Sequence, residues 1–274
     1  MQVNISRLGT FLKTADKTAS PGELPNLLNK DPGLYGVPTK EIDLKKGSDG
    51  FQDEGYGDLY DSFFDYIKKT SRKEIPLKKA TTNLHISGNR LISKRFVKTE
   101  SYFYVPHDEY EQPSNKEASK AVLRAVLNRE DGQEVRVLYA ADMDAIDEEG
   151  KFVEIVSSKC PYKLWLKKQS LHYYMQSYLG NVDYIVRGQI DKDNIVQRVD
   201  TIYTRMIPEK GVEWNADFCM KTLFEILQNI KDHLKNDEDA LMIRIRGRDI
   251  SYDFENPANC NFVDQRFLDF FDTA

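Results

Sequence analysis

A mixed α/β (α+β) domain, with a central mostly antiparallel or mixed sheet flanked by helices, is what this 274-residue sequence predicts. Three observations carry the prediction. Short runs of β-branched and aromatic residues recur between Gly, Pro, Asn and Asp, the pattern of strands joined in hairpins. Two longer stretches place apolar residues at helical spacing. The balance of 40% apolar and 30% charged residues is that of a globular chain, long enough for one domain with a sizeable core.

Residues 14 to 58 are rich in Gly, Pro, Lys and Asp, so 1–58 is predicted as a partly irregular segment wrapping a single 1–274 domain. Leu59, Phe63 and Ile67 recur every four residues and predict a helix over about 57–69. Residues 83 to 106 read as two strands, NLHISGNRLISKRFV and SYFYVP, before an acidic loop. Residues 117 to 128 are Ala-rich like a helix, yet AVLRAVL also reads as a strand, and both remain open. The Asp131-Gly132 turn introduces the strand EVRVLYAA, which runs into Asp142-Met143-Asp144. A polar turn, DEEGK, returns the chain into FVEIV.

Pro161 opens a predicted helix to Leu179, with Leu164, Leu171, Met175 and Tyr178 on one face and Gly180 as its stop. Strands follow at 182–189 and 195–203 around the turn DKDN. Asn215 is a predicted N-cap for a helix to about 235. A hairpin, LMIRIRG with DISYDFE, and a terminal helix, VDQRFLDFF, complete the order.

The three cysteines, Cys160, Cys219 and Cys260, are an odd number without paired spacing, which predicts a reducing compartment rather than a disulfide framework. The first residues carry no apolar leader-like run, and no stretch approaches a membrane span. A nuclear or cytoplasmic protein is expected. The net charge of −5 gives no global attraction to nucleic acid, so an RNA or nucleotide ligand needs local Lys/Arg patches or a divalent cation.

The chemically suggestive feature is acidic. Asp142 and Asp144 share one face if their strand continues, and pairing with the FVEIV strand would bring Glu154 beside them. Carboxylates gathered at one spot repel one another unless a cation lies between them, and Mg²⁺ or Mn²⁺ with oxygen ligands suits such a site. The chemistry would be metal-assisted hydrolysis of phosphoesters or phosphoanhydrides. Two aspartates beside a DEEG turn also read as solvated surface acids, and a pattern as short as D-x-D…E does not separate the two readings. Gln169, His172 and Gln176 share a helix face, either solvated or functional, with Gln176 the member of interest. Lys163, Lys167 and Lys168 form one small basic patch and Lys94, Arg95 and Lys98 another.

Several of these segments together resemble the decapping exoribonuclease (DXO) family. Ala141-Asp142-Met143-Asp144 stands where that family has a G-E-x-D motif, and FVEIVSSK (152–159) where it has E-x-K. SLHYYMQSYLG (170–180) resembles its helix ending in W-x-Q-S-F/Y-L, VDYIVRGQID its next strand, and EWNADFCMKTLFEIL its W-N-x-x-x-C-M segment. The resemblance covers about 134 to 235 and implies a fold related to the PD-(D/E)XK nucleases, acting on incomplete or non-canonical caps at RNA 5′ ends. It implies Asp142, Asp144, Glu154 and the Ile155 carbonyl as ligands of Mg²⁺ or Mn²⁺, with Asp144, Glu154 and Gln176 catalytic. It places Gln176 toward the substrate; Lys163 and Lys167, from the basic patch read in the sequence itself, are the candidate phosphate contacts.

Three departures weigh against catalysis. Val156 replaces the E-x-K lysine, Ile86-Ser87-Gly88 stands where the family has W-R-G with Arg90 out of register, and no G-x-x-x-E counterpart is found between 95 and 134. Losing one positioned donor costs about a hundred- to a thousandfold in rate. The resulting expectation is a degenerate family member that binds RNA 5′ ends or a partner, such as the 5′→3′ exoribonuclease that family members bind. The rivals are an active metal-dependent RNA 5′-end pyrophosphohydrolase or decapping nuclease, and a protein-interaction domain with no nucleotide site.

Overall fold

A computed structural model describes residues 1–46, 61–71, 86–89, 100–101, 117–235, 239–247, 249–256, 267 and 269–270. Three sheets organise them. The first has five strands: β1 (Gln2–Lys13), β2 (Ala19–Pro21), β3 (Ile86–Asn89), β5 (Ala118–Asn128) and β6 (Glu134–Asp142), in the order β2-β1-β5-β6-β3. Its neighbours are antiparallel except β3, which lies parallel to β6. The second, in the order β10-β9-β8-β7, holds β7 (Ala145–Ile146), β8 (Phe152–Ser158), β9 (Val182–Ile190) and β10 (Val196–Tyr203). Here β8 and β9 run parallel between antiparallel neighbours. The third joins β4 (Glu100–Ser101), β11 (Ala240–Arg246) and β12 (Asp249–Glu255). The mixed, mainly antiparallel character is as the sequence predicts.

Residues 117–128, open between helix and strand, are strand β5. Ala121, Leu123, Ala125 and Leu127 point into the main core while Val122 points to the other face, a period of two that no helix accommodates. In β6, Val135, Val137, Tyr139 and Ala141 face that same core, and Leu138 and Ala140 face α1 (Asp61–Thr70) on the other side. The sheet is therefore covered on both faces. The long helix α4 (Ala216–His233) lays Leu223, Phe224, Ile226, Leu227 and Ile230 on the main core. The Asn215 side chain caps it, accepting from the Phe218 N–H at 2.8 Å.

Three sequence expectations change. Residues 2–13 are a twelve-residue strand beside β5, not part of an irregular segment. The pairing slips between Arg7 and Gly9, and that bulge interrupts the alternation that would have announced the strand. Gly9 is required there, since a Cβ would lie 2.1 Å from the Tyr66 hydroxyl. The predicted helix from 161 to 179 is two helices, α2 (Tyr162–Lys168) and α3 (Ser170–Leu179), broken at Gln169. The Gln169 side chain accepts from the Ser158 hydroxyl at 2.9 Å and so ties the break to the end of β8. Finally, β6 and β8 do not pair: β6 lies between β5 and β3, and β8 between β9 and β7. The predicted strands over 83–106 are described only at β3 and β4. Most of the predicted terminal helix lies outside the described residues.

Residues 19 to 46 run mainly along the second sheet through bridges Leu27–Ile146, Gly36–Val199 and Asp43–Ile195. Among the described residues no helix is long and apolar enough to cross a membrane.

Candidate functional site

The site is built where the chain passes from the first sheet to the second. Asp142 is the last residue of β6, and Lys120 stands opposite it in β5. The Lys120 ammonium lies 2.8 Å from the Asp142 carboxylate, with the lysine side chain only 12% exposed and the aspartate 40%. Met143 is buried, and its N–H donates to the Ser119 carbonyl at 2.9 Å, which extends the pairing past the strand end. Asp144 emerges exposed in the connection to β7, and its carboxylate accepts the Ile155 N–H at 2.8 Å. In an extended strand a residue's N–H and C=O point the same way, so the Ile155 carbonyl faces the side from which Asp144 approaches.

A turn fixes this geometry. Asp147 is 4% exposed and accepts the N–H groups of Glu149 and Lys151, each at 2.9 Å, and the Tyr184 hydroxyl at 3.0 Å. Lys30 adds an ion pair at 3.4 Å. Burial opposes ionisation of Asp147, but these donors outweigh it and hold its pKa below the ordinary aspartate value. The DEEG turn is thus a built corner that sets the register of β7 on β8.

Glu154 lies on the buried face of β8, 5% exposed. Strand alternation puts Val156 and Ser158 on the same side, and Ile155 and Ser157 outside. The Gln176 amide, also 5% exposed, donates to the Glu154 carboxylate. The sequence alone could not say whether Gln176 was solvated. The answer follows from α3 being anchored at its end, where the Tyr139 hydroxyl donates to the Leu179 carbonyl at 2.6 Å. Gly180 adds a close approach there, since a Cβ would meet the Gln176 carbonyl at 2.9 Å.

Two further residues enter that sequence reading missed. Lys120 is one. The other is Arg187 of β9, in register with Val156. Arg187 is wholly buried, donates to the Cys160 carbonyl, pairs with Asp200 at 3.4 Å, and lies over the Trp165 ring at 5.6 Å. Burial lowers its pKa, opposed by the Asp200 charge. Tyr173 senses both sides of this region: burial raises its pKa, the Glu154 charge adds to the rise, and Arg187 opposes it. The signal in the sequence was an arginine closing the apolar run YIV, and the lysine immediately before AVLRAVL.

The remaining candidates disperse. Lys163 is exposed on α2, and Lys167, also exposed, pairs with Glu213 at 2.7 Å. Gln169 sits at the helix break and His172 packs edge-on against Tyr173. Lys159 lies one residue past β8. Ile86-Ser87-Gly88 runs beside Val137-Leu138-Tyr139 in β6, whereas Arg90, Lys94, Arg95 and Lys98 lie outside the described residues.

The chain's similarities can be set beside this geometry. A family model described as RAI1-like PD-(D/E)XK nuclease matches residues 94–267, more than half of the chain. The chain belongs to the RAI1-like PD-(D/E)XK nuclease family. Among curated relatives it is similar to the decapping nuclease dom-3 of Caenorhabditis elegans, 26% identical over 152 residues. That match covers 51% of this chain and 38% of the relative's length. In fold it is similar to Rai1 of Scheffersomyces stipitis, solved with (3′-NADP)⁺ and calcium, at TM-score 0.71 and 11% identity over 99% of this chain and 94% of that one. It is also similar to Rai1 of Candida albicans, solved with pU5 and Mn²⁺, at TM-score 0.68 and 14% identity over 98% and 94%. The decapping-family resemblance read from the sequence and the PD-(D/E)XK-related fold are both shown.

Both of these Rai1 structures were solved with a divalent ion, so the donor set here is the test of whether this RAI1-like chain suits one. Among the described residues no group of three or more His, Cys, Asp or Glu stands close enough to hold a metal. Asp142 carries an ammonium, Asp144 a backbone N–H and Glu154 an amide. As arranged, these residues do not fit a divalent ion.

Proposed function

We propose that this chain is a decapping-nuclease-family protein that keeps a pocket for RNA 5′ ends or a nucleotide but has a degenerate active site, and that it works by binding. The observation that carries the reading is Val156. The position of the motif lysine is an apolar side chain, 7% exposed, packed into the main core beside the buried Arg187. Val156 itself offers no cation to a scissile phosphate or a nucleophilic water, and a positioned charge of that kind is worth about a hundred- to a thousandfold in rate. Further departures at one site do not multiply simply, but none of them restores what Val156 lacks.

On this reading Asp142, Asp144, Glu154 and the Ile155 carbonyl are remnants of a site for Mg²⁺ or Mn²⁺ that, as arranged, no longer suits such an ion. Gln176 is committed to Glu154 rather than to substrate. Exposed Lys163 and Lys167 would meet backbone phosphates. The ligand class is supported by the relatives solved with a dinucleotide and with pU5. A 5′→3′ exoribonuclease is the proposed protein partner, and the nucleus or cytoplasm the proposed compartment.

The test is to incubate the protein with Mg²⁺ or Mn²⁺ and RNAs bearing 5′-triphosphate, NAD or unmethylated-cap ends, following end-group release against Asp144→Ala. The expected result is no release above the variant, with RNA bound equally by both. Release that disappears in Asp144→Ala would make the protein a working hydrolase. That second reading is favoured by one feature, the joining of Asp144 to the strand of Glu154 with Gln176 alongside. No RNA binding at all would leave a protein-interaction domain.

A further inference from the structure

The Asp142 carboxylate at the end of β6 meets a positive charge supplied from within the chain. β5 and β6 are antiparallel neighbours whose register sets Lys120 directly opposite Asp142. Directly opposite residues bring their side chains to one face, and an opposite-charge pair there is favourable. The lysine is the more buried of the two, 12% exposed against 40%, so its ammonium is delivered to the carboxylate rather than left in solvent. The stem runs on the face where Val122 packs with Leu138 and Ala140, which limits where the ammonium can go.

We propose that Lys120 is this chain's own replacement for a metal ion at Asp142: an internal ammonium that neutralises the carboxylate and denies it to a divalent cation. The proposal rests on Asp142 occupying the position of the motif carboxylate, and it goes beyond the loss of the lysine at Val156. A divalent ion ligated by Asp142 would sit within a few ångströms of the Lys120 charge and would have to displace it. Each oxygen lone pair given to the ammonium at 2.8 Å is also one withdrawn from the metal. Lysine offers donors and no acceptor, so it cannot itself join a ligand set. The cation that this site lacks at Val156 is thus not merely missing. A different cation, fixed on a neighbouring strand, holds the outer carboxylate instead.

The experiment is a Mn²⁺ titration in the absence of RNA, following unbound Mn²⁺ by electron paramagnetic resonance. It compares wild type with Lys120→Met, Lys120→Gln, Lys120→Arg and the double variant Lys120→Met/Asp142→Asn. Thermal midpoints with and without Mn²⁺ are read alongside. Lys120→Met and Lys120→Gln are expected to bind Mn²⁺ about tenfold or more tightly than wild type, as removal of a like charge a few ångströms away requires. Their midpoints should rise with Mn²⁺. Lys120→Arg, which keeps the charge, should gain nothing, and the double variant should lose the gain. Wild type binding Mn²⁺ as tightly as both neutral variants would overturn the proposal, and so would a gain that survives Asp142→Asn. Because neither RNA nor turnover is measured, end-group release by the wild type would refute the degenerate-site reading while leaving this inference to stand or fall on the titration.

Discussion

Asp147→Ala isolates the corner that sets β7 on β8, and its cost can be worked out from the contacts. The substitution removes the acceptor of two backbone N–H groups at 2.9 Å and of the Tyr184 hydroxyl at 3.0 Å. Tyr184 is 8% exposed, so its hydroxyl loses its acceptor with little access to water. A buried donor left unsatisfied costs about 1–3 kcal/mol. The Lys30 pair adds little, because that lysine is 40% exposed. Counting the Tyr184 hydroxyl in full and the turn N–H groups in part gives about 3–5 kcal/mol. The assay is urea denaturation of both proteins at neutral pH, followed by circular dichroism, with Asn as a second substitution that keeps one oxygen and should cost less. The pH dependence has a defined sign. Because the folded pKa is depressed, the stabilisation is complete above the unfolded value of about 3.9 and is lost as pH falls through the lower folded value. The Ala variant should therefore converge on wild type in acid. A loss under about 1 kcal/mol at neutral pH, or a gap that widens in acid, would refute the role assigned to Asp147.

Other outcomes follow from the same contacts. Gln176→Leu leaves the Glu154 carboxylate buried without its amide donor and should destabilise by about 1–3 kcal/mol, measured by denaturation; Glu154→Gln made on top should recover part of it. Arg187→Met removes a buried cation whose partner Asp200 is still held by Arg198 at 2.6 Å, so the loss should stay below the 3–5 kcal/mol of a broken buried pair, at about 2–3 kcal/mol. Asn215→Ala removes the cap of α4 and should cost about 1 kcal/mol, read as a lower thermal midpoint.

Much of this site was legible along the chain. Asp144, Glu154 and Gln176 were singled out from motif positions, and the DEEG turn between two apolar alternations marked the hairpin-like corner. The substitution at Val156 was equally plain. The state of Gln176 was not. A glutamine on a helix opposite an apolar stripe reads as solvated until the helix is set against a strand, and here α3 turns that face onto β8. The helix break at Gln169 was hidden for a similar reason. It is held by Ser158, a residue of the preceding strand, and not by any helix-breaking residue within 162–179.

What the sequence by itself determined is local: which residues alternate, where α4 is capped, where strands β9 and β10 turn, and which family motifs are kept or lost. What only the tertiary structure decided is which strands are neighbours. Periodicity tells a residue which face it occupies, but not which other strand lies beside that face. β6 and β8 are close in sequence and yet belong to different sheets. Lys120 meets Asp142, and Arg187 meets Val156, only through pairing registers that join residues 22 and 31 positions apart. Those two registers put one cation on a carboxylate and another beside the missing lysine, because a buried charge is stable only where the fold brings it a partner.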